Sequence, residues 1–300
     1  YPLYAEVRER RRVYDLGPMV LLTRYDDVKR AIRGDWSLSN TYKGALPDTR
    51  YMDIDSAAST PILKLDPDFA SVQYLRYELT SFAYHLKEGL EAPKPQAPSP
   101  QPQGFTALVI GPGGGRDLVS ALVFGAGHVD AVEINPIIAD DVMRGQFREY
   151  SGGIYTHPRV RIVIDDGRSF VRRTPDRYDV IQASLVDTWA ATAAGAYTLT
   201  ENTLYTVEAF NDYLDHLTDE GVLTITRWVM DGLRLVSLAQ AACESRGCDA
   251  AAHLAIVQHG RVATFLLKKT PFTGTEVVRL RDTADRLGFR VLYAPGAEGS

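Results

Sequence analysis

No apolar run in the 300-residue chain approaches the roughly 18 residues that span a bilayer, so the sequence offers no transmembrane segment of its own. It also lacks a basic excess: 33 Lys and Arg stand against 38 Asp and Glu, a net charge of -5, which leaves no electrostatic footprint for nucleic acid. Cysteine is scarce. Cys243 and Cys248 have no partners at metal-ligand spacing and too few companions for a disulfide framework, so they read as free thiols in a reducing, cytoplasmic setting. No signal peptide opens the chain, yet its first residue is Tyr1, which leaves upstream sequence, a membrane segment included, open. What is present is a 45% hydrophobic content over a length that suits one large folding unit plus a smaller one.

The most informative stretch is 107–119. Four apolar residues, Ala107 to Ile110, run into Gly111-Pro112-Gly113-Gly114-Gly115, and a helix-compatible segment follows from Asp117. A buried parallel strand, a tight turn and a helix N-terminus form a cradle for a nucleotide or nucleoside. Glycine belongs there because a Cβ would hold the ligand off the backbone and because such turns often need positive φ. The next strand, 128–134, carries Glu133, 22 residues beyond Gly111, where an acid at a strand end accepts both ribose hydroxyls. A dinucleotide fingerprint would place a third glycine where Arg116 stands. The spacing therefore favours a lone nucleoside such as S-adenosylmethionine over NAD.

Strands are expected at 105–110, 128–134, 159–164, 178–183 and 221–227, alternating with helices near 115–125, 136–148, 167–173, 207–217 and 232–246. That alternation predicts a mostly parallel sheet covered on both faces. Two late apolar runs, 253–258 and 262–267, are joined by His259-Gly260-Arg261, so an antiparallel hairpin should form that edge of the sheet, as class I methyltransferase-type folds display. Before the sheet, 51–60 reads as short strands and 73–86 as a helix. Prolines at 93, 95, 98, 100 and 102 mark 91–104 as a semi-rigid linker.

In an open α/β sheet the ligand lies across the C-terminal strand ends. Besides the glycine turn and Glu133 with Ile134, those ends carry Asp165-Asp166-Gly167 and Gln182-Ala-Ser-Leu-Val-Asp187. Asp166 is placed to accept from the exocyclic amine of adenine, with Ile134 and Pro136 against the ring. The alternative, an N-cap for the following helix, can coexist with it. From Asp187 to Tyr205 about twenty residues lack periodicity, as a substrate-covering loop would.

Leu108 to Asp117, Val132-Glu-Ile-Asn-Pro136, Pro158 to Gly167, Tyr178-Asp-Val-Ile181 and Leu204-Tyr-Thr206 together resemble the spermidine synthase family, its bacterial spermidine-synthase-like branch in particular. The resemblance implies a class I methyltransferase-like α/β fold: a doubly wound, mostly parallel sheet with an antiparallel C-terminal hairpin, behind a small β-rich N-terminal domain. Its parts here would be an extension of unassigned role (1–50), the small domain (51–90), the linker (91–104) and the transferase domain (105–300). It further implies S-adenosylmethionine or its decarboxylated form as cofactor, Glu133 on the ribose, Asp166 and Gly167 at the adenine, a small-molecule acceptor, and a homo-oligomer. The family's glycine-loop aspartate is replaced by Gly114, its catalytic aspartate after the fourth strand by Ser184, and its N-terminal glutamine by Ala58. Those losses weaken recognition of a cationic substrate, because carboxylates hold ammonium groups through charge-assisted hydrogen bonds. The expectation is therefore a methyltransferase, with Gly113 to Arg116 backbone donors and Asp117 near the methionine end and with Asp187 and Ser184 as the acid-base or acceptor-anchoring candidates. The alternatives are an aminopropyltransferase in which Asp187 and Glu201 replace the missing acids, and a non-catalytic nucleoside-binding module.

Overall fold

The computed structural model describes residues 13–15, 20–22, 38–54, 58–88, 104–186 and 203–296. Two antiparallel ribbons come first: β1 (Val13–Asp15) with β2 (Val20–Leu22), and β3 (Thr49–Ile54) with β4 (Ala58–Leu63). Eight further strands build one sheet: β5 (Thr106–Ile110), β6 (His128–Glu133), β7 (Val160–Ile164), β8 (Tyr178–Ser184), β9 (Leu217–Trp228), β10 (Leu254–His259), β11 (Val262–Lys268) and β12 (Arg290–Tyr293). Their order is β12-β10-β11-β9-β8-β5-β6-β7, parallel from β9 to β7 and antiparallel beyond β9. The five expected parallel strands are all present. The late hairpin is present as well, but it is not the edge, because β12 pairs with β10 outside it.

Helices flank the sheet: α1 (His85–Glu88), α2 (Arg116–Val123), α3 (Gly167–Arg173), α4 (Val207–Asp215), α5 (Gly232–Arg246), α6 (Ala250–His253) and α7 (Gly274–Leu287). The segment 73–86 is not the single α-helix its periodicity suggests. Ala70–Tyr77 and Leu79–Tyr84 are 3₁₀ turns separated by Glu78, whose backbone is extended. The second turn is buried throughout and meets the sheet at Gln182, whose side chain accepts from the Tyr84 hydroxyl and donates to the Thr80 carbonyl. Ile137–Gln146 is likewise a π-helix rather than an α-helix. Ile62, Leu75, Leu79 and Phe82 share one core with Ala107, Val109 and Val129, so the chain on both sides of residues 91–104 packs together.

At the far end of the sheet, buried Asp130 accepts from Arg161 (2.6 and 2.7 Å), the Tyr178 hydroxyl (2.7 Å) and His128 (2.9 Å). Burial alone would raise its pKa, but those bonds and the Arg161 charge hold it below the usual carboxylate range. A depressed carboxylate contributes stability above its unfolded pKa of about 3.9 and loses it as pH falls through the lower folded value. Asp130→Ala leaves the buried Tyr178 hydroxyl without this acceptor and should cost about 1–3 kcal/mol in urea unfolding at pH 7. The difference from wild type should shrink as pH drops below about 4.

Candidate active site

The glycine turn sits between the ends of β5 and β6 and is clasped by protein. Glu133, at the last position of β6, is 4% exposed; its carboxylate accepts from the Gly113 N–H (3.2 Å) and the Asn135 N–H (3.0 Å). Burial raises its pKa, and these backbone donors offset part of that. The Gly114 N–H donates to Thr60 Oγ1 (3.0 Å) on β4, the Tyr155 hydroxyl donates to the Gly113 carbonyl (2.6 Å), and Ile62 bridges Gly115. Gly113 has φ 49, in the left-handed region. A Cβ on Gly114 would lie 2.1 Å from the Pro61 carbonyl oxygen. These glycines are therefore required by the close approach of β4 and by backbone conformation, in addition to any ligand.

The same bonds decide what kind of cradle this is. A phosphate site keeps its turn N–H groups aimed at the ligand. Here those of Gly113 and Gly114 are engaged by Glu133 and Thr60. Next to the turn, Arg116 lies 3.7 Å from Glu78 and 3.4 Å from Asp117, which is 5% exposed. Burial opposes the Arg116 charge, but Glu78 and Asp117 more than compensate and hold the guanidinium firmly protonated. Asp117, expected near the methionine end, is thus partnered by Arg116.

Ile134, Ile137 and Ile164 are 55%, 60% and 41% exposed around the ends of β6 and β7, an unusual amount of open aliphatic surface beside a buried carboxylate. Asp166 caps α3 by accepting from the Ser169 N–H (2.8 Å), so the capping role is realised. Gly167 is buried, and a Cβ there would lie 2.7 Å from Ile110 Cγ2 and 3.4 Å from Leu204 Cδ2. Ser184 ends β8 beside the turn, 9% exposed, and accepts from Gln182 Nε2 at 2.8 Å. Asp187 and Glu201 lie outside the described residues, as does most of the expected covering loop. The structure thus brings Gly111, Gly113, Gly114, Gly115, Asp117, Glu133, Ile134, Asp166, Gly167 and Ser184 to one end of the sheet. It adds Thr60, Pro61, Tyr155 and Glu78, which no motif announced, because they arrive from distant parts of the chain.

No group of three or more His, Cys, Asp or Glu among the described residues is arranged to hold a metal ion. No helix among them is long and apolar enough to cross a membrane.

The sheet order, the switch from parallel to antiparallel at β9 and the glycine turn followed by an acid at the end of β6 define a class I methyltransferase-like fold. A solved structure of a probable spermidine synthase from Corynebacterium glutamicum shares that fold with a TM-score of 0.50 and 17% identity, over 90% of this chain and 85% of that one. Residues 98–232 match the family model of the spermine/spermidine synthase domain. An 80-residue stretch is 32% identical to the polyamine aminopropyltransferase of Korarchaeum cryptofilum, covering 27% of this chain and 25% of that protein. An 81-residue stretch is 37% identical to the polyamine aminopropyltransferase of Pectobacterium carotovorum subsp. carotovorum, 27% of this chain and 28% of that one. The matched stretch thus spans about a quarter of the length of these curated relatives.

Proposed function

We propose that the chain is a spermidine-synthase-type group transferase that takes an S-adenosylmethionine-derived sulfonium nucleoside and transfers its aminopropyl group to an amine acceptor. The observation that carries this reading is the buried Glu133 carboxylate beneath a glycine turn, within the segment that matches the family model. The group fits the residues present. Glu133 would hold the ribose hydroxyls, while Ile134, Ile137 and Ile164 offer apolar surface for the adenine, and Asp166 and Gly167 border it. The turn's engaged N–H groups disfavour phosphate, and Glu78 and Asp117, two carboxylates against the one guanidinium of Arg116, leave a net negative charge that suits a cationic sulfonium. When bound, the sulfonium supplies an activated carbon. The chain's part is to fix the nucleoside and align the acceptor with that carbon.

Methyl transfer from S-adenosylmethionine is the second reading, and Gly114 favours it. The Pro61 carbonyl leaves no room there for an acid that could hold an aminopropyl ammonium. Calorimetry with the two nucleosides tests the choice, followed by mass spectrometry of products from an amine panel. Aminopropyl transfer predicts tighter binding of the decarboxylated nucleoside and a product heavier by an aminopropyl group. A methylated product with preference for the carboxylated nucleoside would establish the second reading instead.

A further inference from the structure

A buried polar layer lies under the acceptor end of the site. Gln182 and Ser184 of β8 pair with Thr224 and Thr226 of β9, and Thr226 pairs with Thr264 of β11, so these side chains share one face of the sheet. That face packs against Leu79–Tyr84, where Thr264 Oγ1 donates to the Leu79 carbonyl (3.1 Å). Gln182, fully buried, is held from three sides. Its Nε2 donates to the Thr80 carbonyl (3.0 Å) and to Ser184 Oγ (2.8 Å), and its Oε1 accepts from the Tyr84 hydroxyl.

The direction of this chain is set by chemistry. A backbone carbonyl can only accept, so the amide nitrogen must face Thr80 and the amide oxygen must face Tyr84. Tyr84 keeps its proton, since burial and the Asp117 charge raise its pKa well above the ordinary value. Each donor polarises the next. Both Nε2 protons are used, so Ser184 Oγ is an acceptor on the Gln182 side, and its own proton has no acceptor among the described residues. Ser184 stands one step beyond the Ile110–Ala183 pair, beside Gly111, and the next residue, Leu185, is held at φ 50. A non-glycine residue in the left-handed region is a strain that tends to collect at functional sites. On the neighbouring strand, Arg227 follows Thr226 and so lies on the opposite face of the sheet, where it stacks on Tyr205, donates to the Val186 carbonyl (3.2 Å) and pairs with Asp231 (2.9 Å).

We propose that Ser184 donates its hydroxyl proton to a carboxylate of the bound ligand, so that this strand end selects an anionic group over an ammonium. An acid at this position would accept only; the serine reverses that polarity. The inference rests on the strand ends being a sulfonium-nucleoside site. The carboxylate has two possible sources: the methionine end of a carboxylated donor, or an acceptor that carries a carboxylate as well as its nucleophile.

Calorimetry in two arms tests this on wild type, Ser184→Ala, Ser184→Thr and Ser184→Asp. In the first arm, S-adenosylhomocysteine is compared with its decarboxylated counterpart. In the second, protein saturated with 5′-methylthioadenosine is titrated with 4-aminobutyrate and with 1,4-diaminobutane. In one arm the carboxylate-bearing ligand should bind about tenfold more tightly, since a hydrogen bond to a charged group contributes about that much, and that arm identifies the source. Ser184→Ala should erase the preference, Ser184→Thr should keep it, and Ser184→Asp should invert it, with melting temperatures confirming folded protein. Preference for the carboxylate-free ligand in both arms, or a preference that survives Ser184→Ala, overturns the proposal while nucleoside binding still stands. Absence of binding by both nucleosides overturns the nucleoside site and this inference with it.

Discussion

Gly114→Asp, which restores the acid that the family resemblance places in the glycine loop, should cripple the fold rather than improve recognition of a cationic ligand. The new Cβ would lie 2.1 Å from the Pro61 oxygen, 2.7 Å from the Pro61 carbonyl carbon and 3.2 Å from the Ile62 nitrogen. All three are backbone atoms of β4, so no side chain can swing aside. Relief requires β4 to lift from the turn, which breaks the Gly114–Thr60 hydrogen bond and the Ile62–Gly115 bridge. Overpacking typically costs 1–3 kcal/mol, and a carboxylate forced against a carbonyl adds to it, so a loss of at least about 3 kcal/mol is expected. Urea unfolding measures it. A variant as stable as wild type would mean that β4 does not lie on the turn.

Glu133→Ala should weaken nucleoside binding by about 2–4 kcal/mol, roughly thirtyfold to a thousandfold, because two charge-assisted bonds to the ribose are lost less the share water recovers. Stability should change far less. Without ligand, the buried carboxylate resists ionisation, so its charged form costs stability as pH rises past about 4.3, and the cost is complete above the raised folded pKa. Ribose hydroxyls donate to the ionised form, so wild-type binding should strengthen as pH rises through that raised value, and the variant should lack the effect. Calorimetry over a pH series, with melting curves beside it, checks both. Unchanged affinity in a cooperatively melting variant would place the ribose elsewhere.

Much of this site could be read from the chain because its parts are local. Gly111 to Gly115 and Glu133 declare themselves by strand periodicity and spacing, and β5 to β9 follow the same signal. The partners of the turn could not be read that way. Thr60 reaches Gly114 across 54 residues, Tyr155 reaches Gly113 across 42, and Tyr84 reaches Gln182 across 98. None of them sits in a pattern that points to its target. The role of Gly114 changed accordingly, from making room for a ligand to making room for β4. The 3₁₀ break at Glu78 was hidden because apolar spacing does not separate 3₁₀ from α geometry, and packing against the polar layer decides it. The final helix and strand, α7 and β12, were missed despite an available sign: Thr273 and Glu276 form a capping box at the start of α7.

The strand order also has a consequence for how the molecule is made. Of the strands of the large sheet the ribosome delivers β5, β6 and β7 first, and these form one end of it; only then does the chain return to add β8 on the other side of β5. A nascent chain that has emerged only as far as β7 therefore carries β5 as an open, apolar edge with half of its ladder unformed. The glycine turn gains its second wall, Ser184 and Val186, when β8 docks on that edge. Until then the nascent chain carries Glu133 and the glycine turn without Ser184.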